Sequence, residues 1–264
     1  KLISYLQAML FMTSSVIVSA ASAGIGKGIV AVLLGYGYNI TAFSRDESKL
    51  RALKEEMKLK FGREINTVVA DLSVRSDLEN VVSNHREKYG SIDNLVVNYG
   101  DPKVSSFIEI SDEDWDYAIS MMLKSTIYLT REALRDMIRT KHGSIVYVTS
   151  MTVREPIEGF SISASLRSAV ISLAKTLTHE VSQNGIRVNT IAQGYFNTDR
   201  FRDIMKREID SLSGMKRLAG EIPLRRVGEP EEIGELVEFL LSSRSSYING
   251  ANIPIDGGIT KFPL

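Results

Sequence analysis

Short apolar, β-branched runs recur along the chain: SVIVSA (15–20), NITAFS (39–44), INTVVA (65–70), NLVVNY (94–99), GSIVYVTS (143–150), IRVNTIA (186–192) and ANIPID (251–256). Each is too short for a helix and apolar at successive positions, the pattern of a strand covered on both faces. Between them lie stretches with helical spacing, at 26–34, 47–61, 77–89, 112–140, 163–184 and 229–241. This alternation predicts an α/β fold: a doubly wound parallel sheet with helices on both faces and right-handed crossovers. No low-complexity linker, composition break or internal repeat divides the chain, so a single domain is expected over 13–264, with 1–12 as an N-terminal extension.

Composition narrows the function classes. A chain of 264 residues with 44% hydrophobic and 24% charged content is ordinary for a globular protein with one extended core. Lys+Arg and Asp+Glu are 32 each, so no overall field draws nucleic acid or an anionic membrane surface. With no cysteine, and with His85, His142 and His179 lacking ligand-like spacing, neither disulfides nor a metal centre are expected, and an intracellular, cytoplasmic setting fits best. Gln7, Thr13, Ser14 and Ser15 interrupt the apolar start of the chain short of the roughly 20 residues that a span requires. Met9 or Met12 is the expected natural start.

The first strand runs into SAASAGIGKGIV (19–30), and here chemistry enters. Gly24, Gly26 and Gly28 allow close approach of a pyrophosphate, and the free N–H groups and partial positive charge of a helix start attract it. A tight turn that binds nothing is the alternative. Ala20 stands where such turns usually begin with glycine, and its Cβ is expected to narrow the crevice. At the end of the second strand, where an acidic residue would hold the ribose 2′-OH of NAD, the sequence reads FSRDE. Ser44 and Arg45 favour NADP(H), although Ser44 with Glu47 also reads as a helix capping box.

The turn at 19–28, ADLS (70–73), VVNYG (96–100), GSIVYVTS (143–150), GIRVNTIAQGYFNT (185–198) and RRVGEPEEIGELVEFLLSSRSSYINGANIPIDGG (225–258), taken in order, resemble the short-chain dehydrogenase/reductase family in its 3-oxoacyl-ACP-reductase-like branch. The resemblance covers about 15–258 and implies a Rossmann fold binding a nicotinamide dinucleotide. It assigns the phosphate turn to Ser19, Ser22, Gly24, Ile25 and Gly26, and the 2′-phosphate to Ser44 and Arg45. Asp71 and Leu72 would lie against the adenine, Asn98 and Gly100 against the cofactor backbone, and Gly194 to Thr198 against the carboxamide. Two departures are Tyr99 for an alanine and Gln193 for a proline.

The family's catalytic set is Asn, Ser, Tyr and Lys. Ser150 matches the serine; the Tyr-x-x-x-Lys pair then falls on Ser163 and Arg167, and the asparagine on Met122. A serine is far less acidic than a phenol, and an arginine stays protonated above about pH 12, so Arg167 can stabilise charge but relays no proton. Loss of general acid catalysis costs roughly 10² to 10⁴ in rate. Two readings stay open. One is a rewired NAD(P)(H)-dependent oxidoreductase for a small carbonyl or alcohol substrate, in which Ser150, Ser163 and Arg167 act and a phenol from Tyr99, Tyr147 or Tyr195 gives the proton. The other is an inactive NADP-binding sensor or scaffold. Arg154 is expected either at the substrate entrance or as a solvated loop residue, and a substrate lid is expected at about 198–223. The excess apolar surface of 112–140 and 163–184 predicts a homo-oligomer, a dimer or tetramer.

Overall fold

A computed structural model of the chain describes residues 14–100, 102–199, 201–202 and 219–261. The expected extension at 1–12, and residues 200 and 203–218 of the lid expected at about 198–223, lie outside the described residues. Seven parallel strands form one sheet: β1 (Ser15–Ser19), β2 (Asn39–Ser44), β3 (Asn66–Val69), β4 (Asn94–Val97), β5 (Gly143–Ser150), β6 (Ile186–Gln193) and β7 (Asn252–Ile255), in the order β3-β2-β1-β4-β5-β6-β7. The expected doubly wound α/β architecture is therefore present as a single unit. Strand order reverses between β1 and β4, and in such sheets the crevice outside the carboxyl ends at that point takes the ligand.

The uninterrupted apolarity of the strands has its explanation in two cores. Ile17, Phe43, Leu95, Val97 and Ile145 point to one face, where α3 (Arg75–Tyr89), α5 (Ser125–Thr140) and α6 (Ser161–Val181) cover them. Val16, Val18, Ile40, Ala42, Val96, Val146 and Val148 point to the other, beneath α1 (Gly24–Gly35), α2 (Glu47–Phe61) and α7 (Pro230–Leu241). The rule weakens at the sheet edges, where Val69 of β3 is half exposed and Pro254 of β7 is exposed.

Helix starts follow local chemistry. The Asp46 side chain accepts from Lys49 N, and Gly62 closes α2 in the left-handed conformation. This corrects the expected Ser44–Glu47 capping box: Ser44 is the last residue of β2, too early to cap. Ser111 and Asp114 form a reciprocal capping box for α4 (Asp112–Ala118), which runs through a π-helical turn (Ile119–Lys124) into α5. Gly28 also has a different duty from the one its spacing suggested. A Cβ there would sit 2.5 Å from the Pro230 carbonyl carbon, so its bareness serves the close crossing of α1 with α7.

At the opposite end of the sheet from the carboxyl termini, His85 is fully buried. Its Nδ1 lies 2.8 Å from Thr41 Oγ1, and its Nε2 lies 3.2 Å from both Ser15 Oγ and the Ser91 carbonyl oxygen. Burial lowers its pKa from 6.5 to about 4, against the opposing pull of the Ser91 carbonyl, Asp93 and Asp136. The folded protein therefore resists protonation here more than the unfolded chain does. Stability from this group is complete above pH 6.5 and is lost as pH falls towards 4, by at most about 3 kcal/mol. Urea unfolding at pH 7.5 and pH 4.5 should show this loss in the wild type and a markedly smaller one in His85→Asn; equal losses would remove His85 from the account.

Candidate active site

The crevice is organised by one hydroxyl. Ser19 Oγ, at the end of β1, donates to the Asn98 carbonyl oxygen at 2.6 Å and accepts from Asn98 N at 2.9 Å, so it ties the end of β1 to the chain leaving β4. Asn98 Nδ2 reaches back to the Ala20 carbonyl oxygen at 3.4 Å. Ala20 takes φ +48°, a conformation natural to glycine, so the chain turns as the motif demands in spite of the methyl. A Cβ on Gly26 would lie 2.1 Å from the Ala20 carbonyl oxygen, so only glycine lets α1 begin this close to the turn. Ser22 is half-buried in the turn, and Ile25 packs on the α1 core.

The start of α1 is open. Its N-cap, Ala23, offers no side-chain hydrogen bond, and the first turn holds no acidic residue. Its leading N–H groups are thus left to an anion. Thr198 stands opposite, with its Cγ2 3.1 Å from where a Cβ on Gly24 would lie, and its Oγ1 accepts from Phe201 N. Gly24 and Thr198, 174 positions apart in sequence, are thereby neighbours across the crevice. Gly194 lies against Asp256, and Gly100 faces the Met121 sulfur, each within the same rim.

At the end of β2, Ser44 Oγ is buried with no partner among the described residues. Arg45 beside it is largely exposed; its Nη1 donates to Tyr117 Oη at 2.7 Å and stands 3.7 Å from Asp71 Oδ2. Asp71 Oδ1 accepts from Ser73 N and Ser73 Oγ, and Leu72 is buried in the α3 core. An orphaned hydroxyl at the end of β2, an exposed guanidinium on the next residue, an uncapped helix start and a glycine that tolerates no Cβ suit a phosphorylated dinucleotide. Tyr117 had no motif to reveal it, because it sits 72 residues from Arg45 and meets it only through the fold.

The substituted catalytic positions also converge. Ser163 lies in the first turn of α6, which begins two residues earlier than its sequence pattern indicated. Ser163 and Arg167 are both buried, and Arg167 Nε donates to Ser163 Oγ at 3.1 Å while Nη1 donates to the Val148 carbonyl oxygen at 2.9 Å. The guanidinium carbon lies 5.5 Å from the Tyr99 ring centroid. Ser150 ends β5, and its Oγ accepts from Thr152 N at 3.2 Å. Nearby, Thr152 Oγ1, Ser161 Oγ and Gln193 Oε1 are buried without partners among the described residues. Of these, only Gln193 carried a sequence signal, as a departure from proline.

The phenols divide. Tyr99 is buried, its Oη 2.6 Å from Thr126 Oγ1, and burial pushes its pKa up to about 12. Tyr147 is wholly buried with its Oη 2.7 Å from Thr130 Oγ1, and desolvation raises it as well. Both are poorer acids than a free phenol, which corrects their standing as proton donors. Tyr195 is half-buried after β6, its ring 5.9 Å from that of Phe201. Met122 lies buried in the π turn, and its carbonyl oxygen accepts from Thr126 Oγ1 at 2.5 Å. Arg154 donates to the Asn252 carbonyl oxygen at 2.9 Å, so it ties a loop to β7 and is not a solvated residue.

A family model described as enoyl-(acyl carrier protein) reductase matches residues 19–260. The chain belongs to the short-chain dehydrogenase/reductase family. Among its relatives, oxidoreductase UcpA of Salmonella typhimurium is 35% identical over 249 residues, covering 92% of this chain and 93% of that protein. Among solved structures, L-sorbose reductase of Gluconobacter frateurii, complexed with NADPH and L-sorbose, is 27% identical with a TM-score of 0.89, covering 94% of this chain and 97% of the other. An NADPH-bound short-chain oxidoreductase of Pseudomonas aeruginosa PAO1, containing an atypical catalytic centre, is also 27% identical, with a TM-score of 0.88 and coverage of 95% and 98%. Among the described residues no helix is long and apolar enough to cross a membrane, and no cluster of His, Cys, Asp and Glu could hold a metal ion.

Two substitutions probe the family turn. Ala20→Gly relieves a left-handed alanine and should raise stability by roughly 0.5–1 kcal/mol. Gly26→Ala drives a methyl into the Ala20 carbonyl and should lower it by about 1–3 kcal/mol. Chemical denaturation of both variants checks the pair; the opposite order would mean that the turn has another shape.

Proposed function

We propose that the chain is an NADP(H)-dependent oxidoreductase for a small carbonyl or alcohol substrate, with a centre built from Ser150, Ser163 and Arg167. The observation that carries this reading is the Arg167 Nε to Ser163 Oγ hydrogen bond. A serine oxygen that accepts from a guanidinium keeps its own proton for another acceptor, and the adjacent positive charge makes that proton a stronger donor. Ser163, with Ser150 beside the same crevice, would thus hold and polarise the substrate oxygen. Arg167 would steady negative charge developing there without moving a proton. When bound, the nicotinamide supplies or accepts the hydride.

The cofactor would be held by the backbone of Ser19, Ser22, Gly24, Ile25 and Gly26 at the pyrophosphate and by Ser44 and Arg45 at the 2′-phosphate. Asp71 and Leu72 would border the adenine, Asn98 and Gly100 the cofactor backbone, and Gly194 and Thr198 the carboxamide. NADPH in the L-sorbose reductase and in the Pseudomonas oxidoreductase supports NADP(H) over NAD(H). The latter is an oxidoreductase with an atypical catalytic centre, which supports the same reading for a chain whose own catalytic positions are substituted. Tyr195, the half-buried phenol of the three considered, is the side chain we assign as proton donor. Exposed Ile127 and Ile138 on α5 support a homo-oligomer, dimer or tetramer, and the absence of cysteine supports a cytoplasmic setting.

One observation favours the second reading, a nucleotide-binding protein without turnover. Thr126 Oγ1 bonds both the Met122 carbonyl oxygen and the Tyr99 hydroxyl, and a methionine side chain at 122 can neither hold nor pass the proton that the family's catalytic set moves.

NADPH should bind more tightly than NADH, and Arg45→Ala should weaken NADPH roughly 10- to 100-fold, the range of one charge-assisted hydrogen bond. Equal affinities in the wild type would remove the 2′-phosphate assignment. NADPH consumption is then followed over ketones, aldehydes, quinones, sugars and 3-oxoacyl thioesters. Turnover on one class, reduced at least tenfold in Ser163→Ala, supports the enzyme, whereas tight binding with no turnover on any class gives the case to the sensor. Ser163→Tyr with Arg167→Lys should raise ketone reduction by roughly 10² if only the acid is missing.

A further inference from the structure

We infer that Tyr117 is a positioning residue that sets the preference for a 2′-phosphorylated nucleotide by holding Arg45 ready for it. The inference rests on the cofactor reading and extends it to a side chain outside the family segments at 19–28, 70–73, 96–100, 143–150, 185–198 and 225–258. Arg45 follows the last residue of β2 and precedes the α2 cap, and its side chain is 62% exposed. An arginine so placed would lose its rotamer freedom when a phosphate captures it, which weakens the capture.

Two groups already restrain it, with opposite consequences. Tyr117 Oη is neutral and accepts from Arg45 Nη1 at 2.7 Å, fixing the guanidinium without spending its charge. The phenol's own hydrogen takes no part in that bond. Asp71 Oδ2, 3.7 Å from the same nitrogen, is anionic and competes directly with a phosphate for Arg45. Without the phenol, Asp71 is left as the partner, and the cation is pulled towards a carboxylate that competes with the phosphate. The anchor itself is firm. Tyr117 lies on α4, whose start is locked by the Ser111–Asp114 capping box and whose end is continuous with the π turn.

The test is titration of the full chain with NADPH and NADH, and with adenosine 2′,5′-bisphosphate against AMP, which carry the recognition element without the nicotinamide. Wild type, Tyr117→Phe, Tyr117→Gln, Arg45→Ala and the double variant Arg45→Ala/Tyr117→Phe are compared, with thermal midpoints as the check on folding. Tyr117→Phe should weaken NADPH and the bisphosphate about fivefold while NADH and AMP hold, as expected for one lost hydrogen bond. Tyr117→Gln, which restores an acceptor, should recover some of the loss, and Tyr117→Phe should add nothing in the Arg45→Ala background.

The inference falls if Arg45→Ala abolishes the preference but Tyr117→Phe leaves the NADPH-to-NADH ratio within twofold; the cofactor reading then survives alone. It falls equally if Tyr117→Phe weakens both nucleotides alike, or if the double variant loses more than Arg45→Ala. A ratio unchanged by Arg45→Ala overturns the 2′-phosphate reading and this inference with it.

Discussion

The Ser19 hydroxyl is the constraint on which the crevice depends. Where its winding reverses, a doubly wound sheet sends the connections from two paired strands to opposite faces, so the chain parts just beyond their carboxyl ends. Here one side chain accepts from Asn98 N and donates to the Asn98 carbonyl oxygen, continuing the pairing of β1 and β4 one step beyond their ladder. With that junction held, the turn at Ala20 must double back sharply, which accounts for its positive φ and for the absence of room at Gly26. The open start of α1 follows from the same geometry, since its leading N–H groups are delivered to the rim of the crevice with no side chain to satisfy them.

Across the crevice the design problem is different, because a charge is kept inside. Removing a guanidinium from water is costly, and the cost is offset only where its donors find acceptors. Arg167 meets that condition by bonding Ser163 Oγ and the Val148 carbonyl and by lying over the Tyr99 ring. The substitutions are therefore not independent. Tyr99 supplies the ring, Thr126 and the Met122 carbonyl occupy its hydroxyl side, and Ser163 supplies the acceptor. At the two positions where the family carries tyrosine and lysine, this chain holds a serine hydroxyl and a guanidinium bonded to it.

Much of this is legible along the chain. Strand and helix order, the glycine turn after β1, the family and the positions of Ser163 and Arg167 can be read because each depends on local pattern or on spacing within one motif. Boundaries shift by one or two residues where caps decide them, as when Asp46 and not Ser44 begins α2. Gly28 misleads because a glycine's reason lies in what approaches it, and Pro230 is about 200 residues away. Tyr99 and Tyr147 mislead because position near a strand end does not reveal burial, and burial is what raises a phenol's pKa.

By itself the sequence determined the alternation of buried strands with amphipathic helices and the glycines and charges at the strand ends, because these are properties of neighbouring residues. Only the tertiary structure decided which distant groups share one volume: Arg45 with Tyr117 and Asp71, Gly24 with Thr198, Arg167 with Tyr99. The physical reason is that hydrogen bonding and desolvation act over a few ångströms of space and take no account of separation along the chain.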